Sequence, residues 1–176
     1  MSSMRPCSVG VLGCESKVSM TPSSVVKCYY NLVDYHWYRI LKASIALAEA
    51  GIGPKVISTS DEGEDERCIE YERVTPFDAN NSRIRPNLTN GEIIERINRA
   101  IDKMHKLGYG HGDLHIGNIG FSGSNIYLLD HDTVYRIQEG PVEWLSRWME
   151  EGFDWDDSFE AFVDNDYDTW RGDWLD

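Results

Sequence analysis

Between Gly110 and Asp132 the chain reads Gly-His-Gly-Asp-Leu-His-Ile-Gly-Asn-Ile-Gly-Phe, then Ser122-Gly-Ser-Asn125, then Ile-Tyr-Leu-Leu-Asp130-His-Asp132. Short apolar runs on either side of a Gly/Ser/Asn turn predict a β-hairpin. Asp113 and Asn118 then lie on the loop entering that hairpin and Asp130 at its exit. A carboxylate, an amide and a second carboxylate are thereby brought to one end of a small sheet. Oxygen donors of this kind, completed by phosphate and water, are what Mg²⁺ takes when it is held with a nucleotide.

The spacing resembles the protein kinase-like superfamily, whose catalytic loop reads His-Arg-Asp-x-x-x-x-Asn and is followed by a metal-binding Asp. His111-Gly112-Asp113 with Asn118 keeps the step from Asp to Asn, and Asp130 falls where the metal ligand is wanted. The wording His-Gly-Asp-Leu-His is similar to aminoglycoside and choline phosphotransferases and to small atypical protein kinases. The resemblance implies an α+β, small two-lobed kinase-like fold with a truncated C-terminal lobe. The N-terminal lobe is expected over residues 1–74 and the remainder over 75–176.

The same resemblance implies roles for single residues. Asp113 would be the base that orients the attacking hydroxyl, and Asn118 and Asp130 would hold Mg²⁺. His111 would pack beneath the loop, whereas His115 would either contact the transferring phosphate or fill a turn. Lys27, in Val25-Val26-Lys27, matches the strand Lys that neutralises ATP phosphates. Glu70 and Glu72, in Glu70-Tyr-Glu-Arg-Val74, match the hinge where backbone groups meet an adenine. Asp132 is expected to be a surface charge. Two departures stand out. One Gly, Gly13, remains where the family has a Gly-rich loop, and the helix after Lys27 carries Arg39 and Lys42 at mid-length, where the family has a Glu.

Composition narrows the partners. The formal charge is −13, and Glu150–Asp176 holds eleven acidic residues against one Arg. An acidic surface argues against nucleic acid, which needs Lys and Arg, and fits a basic protein partner, either substrate or activator. No apolar run approaches the length of a membrane span, and the N-terminus lacks a signal-peptide core. Four cysteines without zinc spacing are expected as free thiols in a reducing, cytoplasmic setting.

Along the chain, strands are predicted at Ser8–Leu12, Lys17–Met20, Val25–Tyr30, Pro54–Ser58 and Cys68–Val74. A helix is predicted over Val33–Ala50, with Val33, Trp37, Ile40, Leu41, Ile45 and Ala48 on its apolar side and Gly51 as its stop. Thr89-Asn-Gly-Glu92 is a capping box opening a second helix, whose face is Ile93, Ile94, Ile97, Ala100, Ile101, Met104 and Leu107. After Asp130, a strand over Thr133–Ile137, a helix over Pro141–Glu151 and a Trp-rich cap are expected.

Three functions compete at this stage. The first is a minimal ATP/Mg²⁺-dependent Ser/Thr protein kinase, with a small-molecule kinase as its variant. The second is a pseudokinase that binds nucleotide or protein without transfer. The third is a metal-dependent phosphoesterase built on His111, Asp113 and His115. With Gly112 in place of the family's Arg, control by phosphorylation of the chain's own activation segment is not expected.

Overall fold

The computed structural model describes residues 3–7, 13–77, 86–140 and 163–171. The chain forms two compact units, Met1–Arg73 and Val74–Asp176.

Unit 1 is an antiparallel sheet with one helix. Its strands are β1 (Arg5–Pro6), β2 (Glu15–Met20), β3 (Ser24–Tyr30), β4 (Val56–Asp61) and β5 (Arg67–Glu72), ordered β1-β2-β3-β5-β4. The strand expected at Ser8–Leu12 lies outside the described residues. Helix α1 (Asp34–Glu49) buries Trp37, Ile40, Ala43, Ser44 and Leu47. That stripe differs from the expected one, since Val33 and Ile45 are exposed. The helical period continues from Trp37 and Ile40 to Ser44 and Leu47, and Ser44 tolerates burial because its hydroxyl shares a 2.8 Å hydrogen bond with Tyr71. Trp37 and Ile40 pack with Tyr29, Leu32 and Ile69 as the core of this unit.

Arg67 is buried beside that core. Its Nη1 donates to Leu32 O at 2.8 Å and its Nε to Asp61 Oδ1 at 2.8 Å, while Nη2 pairs with Asp34. A guanidinium taken out of water needs such partners on most of its donors. The hydrogen bond from Arg67, and next the Gly63 amide, hold the Asp61 carboxyl below its ordinary range.

The cysteines overturn the free-thiol expectation. Cys7 is bonded to Cys14, and Cys28 to Cys68 across the directly opposed positions of β3 and β5. Separations of 7 and 40 residues have no zinc or framework signature, and only the sheet register brings these partners together. Paired cysteines belong to oxidising surroundings, so thiol chemistry no longer supports a reducing compartment. No helix among the described residues is long and apolar enough to cross a membrane.

Unit 2 is built on helix α2 (Asn90–Lys106). Its capping box is complete: Thr89 Oγ1 accepts from Glu92 N at 3.2 Å, and Glu92 Oε2 accepts from Thr89 N at 2.7 Å. Ile93, Ile97, Ala100, Ile101 and Met104 are buried, whereas Leu107 is exposed. Burying each of the larger apolar side chains contributes about 1.5–3 kcal/mol, so this face fixes the helix against the elements that follow. Those are β6 (Thr75–Pro76), β7 (Tyr109–Gly110), the hairpin β8 (Ile119–Ser122) and β9 (Asn125–Leu128), and β10 (Tyr135–Arg136). β6, β8 and β9 form one sheet; β7 and β10 pair separately. The predicted strand over Thr133–Ile137 is shorter than expected because His131–Thr133 turns as a 3-10 helix first. The helix expected over Pro141–Glu151 lies outside the described residues, as does most of the Trp-rich cap, apart from the buried Trp170.

Two outcomes check this account. A Cβ at Gly110 would lie 2.3 Å from Tyr135 Cζ and Oη, and Tyr135 is itself buried and paired across from Gly110. Gly110→Ala is therefore expected to destabilise the protein by about 1–3 kcal/mol in urea unfolding; an unchanged midpoint refutes the packing. The unreduced, denatured protein should show no free thiol, and all 4 cysteines should titrate after reduction.

Candidate active site

The loop from Gly110 to Asn118 is held from below by one side chain distant in sequence. Asp166, on the 3-10 turn Asn165–Tyr167, is 3% exposed. Its Oδ2 accepts from His111 N at 3.0 Å and from His105 Nε2 at 2.9 Å, and its Oδ1 accepts from Gly112 N at 3.3 Å. An ionised carboxylate only accepts, so His105 carries its hydrogen on Nε2. Tyr167 covers His105 edge-on and donates to Asp102 Oδ1 at 2.6 Å. Burial, and next the charge of Asp166, push the Tyr135 hydroxyl well above its usual range.

His111 is buried and both ring nitrogens are used locally. Nε2 donates to Leu129 O at 2.8 Å, and Nδ1 accepts from Asp113 N at 3.3 Å. The ring thus ties the segment carrying Asp113 to the end of β9, next to Asp130. Gly112 has φ +86°, and a Cβ there would come 3.2 Å from Thr133 O. The loop conformation itself excludes an Arg at this position without strain.

Asn118 is buried and donates from Nδ2 to Asp113 O at 2.8 Å. Its amide nitrogen is thereby committed, and the atom it can offer a cation is Oδ1. Leu129 N donates to Asn118 O at 2.7 Å, extending the β8–β9 ladder past Ile119 and Leu128. That bond brings Asp130 to the hairpin end where Asn118 sits. Asp130 adopts φ 54°, ψ 83°, and its Oδ1 accepts from Asp132 N at 3.4 Å. A non-glycine residue in the left-handed region signals a locally constrained conformation. Asp132 is buried, not the surface charge expected, because its backbone closes the turn that Asp130 caps.

His115 accepts at Nδ1 from Gly117 N at 3.1 Å, which leaves Nε2 facing Asp113 Oδ2 at 4.0 Å. Both side chains are half-exposed. This distance is too long for a hydrogen bond but suits two groups that meet a third between them.

Unit 1 carries the other predicted residues. Lys27 lies in β3 opposite Val18 and Ile69, with Nζ 5.4 Å from the Tyr29 ring centroid. Glu70 and Glu72, expected at a hinge, both lie inside β5, between β3 and β4. Their carboxylates are engaged on the sheet: Glu70 Oε2 accepts from Ser58 Oγ at 2.8 Å and Glu72 Oε1 from Lys55 N at 2.9 Å. Residues opposed in register share a face, so Glu70, opposite Val26, points to the face away from Lys27.

A fit test for Mg²⁺ follows from the donors. Asn118 Oδ1 and the Asp130 carboxylate supply two oxygens, and Mg²⁺ characteristically takes one or two protein oxygens and completes its octahedron with phosphate and water. The residues fit. Among the described residues, the one cluster of metal-ligating side chains comprises Cys28, Glu66 and Cys68, and its cysteines are consumed as a disulfide. The phosphoesterase arrangement is not formed, because both nitrogens of His111 serve the backbone.

Sequence reasoning missed Asp166 and His105. The only available signal was the run Asp164-Asn-Asp-Tyr-Asp168 in an acidic region, which reads as a solvated face.

No family model matches the sequence, and no curated protein matches it. Solved structures do. A 2.2 Å crystal structure of WbdD superposes with a TM-score of 0.52 at 15% identity, over 85% of this chain and 35% of that one. A second structure, of the bifunctional kinase-methyltransferase WbdD, gives 0.52 and 15% over 94% of this chain and 38% of that one. A co-crystal of WbdD with a kinase inhibitor gives 0.50 at 14%. The chain spans little more than a third of those proteins. The fold is α+β and kinase-like.

Removing the Asp166 carboxylate leaves two loop N–H groups without their acceptor, at about 1–3 kcal/mol each. Asp166→Ala should therefore speed amide hydrogen exchange at His111 and Gly112 by about tenfold or more. Unchanged protection at both amides would show that the loop is held by something else.

Proposed function

We propose that this chain is an ATP- and Mg²⁺-dependent phosphotransferase acting on a protein serine or threonine hydroxyl. The observation that carries the reading is the Asn118 Nδ2 to Asp113 O hydrogen bond, which sets a candidate base and a candidate metal ligand in fixed relation on a kinase-like fold.

Asp113 accepts the hydroxyl proton of the acceptor and orients its oxygen for in-line attack. Asn118 and Asp130 hold the metal, and Mg²⁺ when bound supplies charge neutralisation at the phosphates. Lys27 acts on the nucleotide phosphates, and His115 Nε2 contacts the transferring group. Adenine recognition falls to backbone beyond Glu72 rather than to Glu70 or Glu72. Such catalysis is positioning and electrostatics, and the loop is built for positioning.

A second reading has its own support. Asp34, the acidic residue at the start of α1, is committed to Arg67, and the middle of α1 holds Arg39 and Lys42. A basic stretch at mid-helix, where the family has a Glu, favours a pseudokinase that binds nucleotide without transfer.

Two variants separate the readings. Asp113→Asn should lower kcat for phosphoryl transfer by about 10²–10⁴-fold while nucleotide affinity stays unchanged, since the base acts on the acceptor. Asp130→Ala should abolish the Mg²⁺ dependence of nucleotide binding in calorimetry. Transfer by the Asp113 variant at the wild-type rate sinks the assignment of the base. Nucleotide binding by the wild type without any transfer selects the pseudokinase.

A further inference from the structure

A cavity of about 290 Å³ opens beside Asp113 within unit 2, lined by Gly112, Asp113, Leu114, His115, Asn165, Asp166 and Thr169. We propose that this cavity is the acceptor subsite and that it selects a serine or threonine flanked by a Lys or Arg. The inference rests on the phosphotransferase reading and adds to it the class of acceptor.

Three features carry it. The first is charge. Asp113 and Asp166 both line the cavity, and among the described residues its lining contains no Lys or Arg. Three N–H donors converge on Asp166. Beside it the turn carries Asp164 and Asp168, and Arg171, the basic residue nearest in sequence, pairs with Asp168 at 3.8 Å. A cationic side chain entering here meets a complementary field, whereas a phosphate- or carboxylate-bearing acceptor meets repulsion. The second is size. The volume lies at the low end for small-molecule pockets and accommodates one long side chain. The third is rigidity. Thr169 Oγ1 donates to Leu114 O, locking the two walls together, and Asp166 holds the Gly112 wall.

In the step itself the acceptor oxygen forms a bond to the γ-phosphorus of ATP as the bond from that phosphorus to the β–γ bridging oxygen breaks. The acceptor proton passes to Asp113, and ADP leaves. The flanking cation occupies the cavity and fixes which hydroxyl faces Asp113.

The test uses the full chain with Mg·ATP and three serine peptides alike except for the neighbouring residue, which is Arg, Ala or Glu. An amino alcohol and an amino sugar are assayed alongside. The Arg peptide is expected to exceed the Ala peptide in kcat/KM by about tenfold, with the Glu peptide lowest. Asn165→Lys places a cation at the cavity wall. Its exposed side chain is not needed for the turn, whose bonds from Asp168 N and Thr169 N go to Asn165 O. That variant should erase the Arg-over-Ala preference. Equal rates on all three peptides overturn the cavity inference and leave the phosphotransferase reading standing. Faster transfer to the amino alcohol or amino sugar than to the Arg peptide overturns the peptide assignment. ATP that passes its phosphate to nothing overturns the phosphotransferase reading, and this inference with it.

Discussion

One buried carboxylate sets the geometry on which unit 2 depends. Asp166 gathers hydrogen bonds from His111 N, Gly112 N and His105 Nε2, joining α2, the loop and a turn more than fifty residues onward. Hydrogen bonds to a charged group contribute about 1.5–3 kcal/mol each, and a buried carboxylate is tolerable only with such partners. The arrangement holds Gly112 at φ +86°, a conformation the loop has little reason to keep alone. From that fixed point His111 reaches Leu129 O, and Asn118 reaches Asp113 O. The positions of Asp113, Asn118 and Asp130 are therefore consequences of one anchoring group outside that trio.

Much of this was legible in the residues. The hairpin around Ser122–Asn125 and the capping box at Thr89 and Glu92 are local. Turn chemistry and helix-end hydrogen bonds specify such elements within a few residues of sequence. The step from Asp113 to Asn118 was legible for the same reason. Asp166 was not, because its meaning lies in donors far away in the chain, and an acidic tract ordinarily signals solvation. The disulfides were hidden likewise, since Cys28 and Cys68 meet only through strand register. Asp132 was misread because burial of a polar group depends on a partner that composition does not reveal. Glu70 and Glu72 lie inside β5, with side chains on the face away from Lys27 by a strand's period of two.

In unit 1 the comparable constraint is Arg67. Its guanidinium sits 5.8 Å from the Trp37 ring centroid, within reach of cation–π attraction, and takes Asp34, Asp61 and Leu32 O as partners. Helix α1 is thus fixed to the sheet at its first turn by a charge pair, and along its length by Trp37, Ile40 and Leu47. The acid at the start of the helix serves Arg67, which is why α1 is firmly placed although its middle is basic.

That substitution bears on how an acidic chain could hold a nucleotide. With a net charge of −13, the whole-molecule field opposes a polyphosphate, although screening limits its reach to about 10 Å at ordinary ionic strength. Attraction must then be local. Among the described residues of unit 2, the groups of the candidate site are the Asn118 amide, the Asp113 and Asp130 side chains, and the His115 ring. Nothing among them neutralises phosphate directly. Under the proposed function, a divalent cation held by Asn118 Oδ1 and Asp130 would supply that attraction. On the proposed reading, a cavity lined by Asp113 and Asp166, with no Lys or Arg among its described lining residues, would take its positive charge from the substrate.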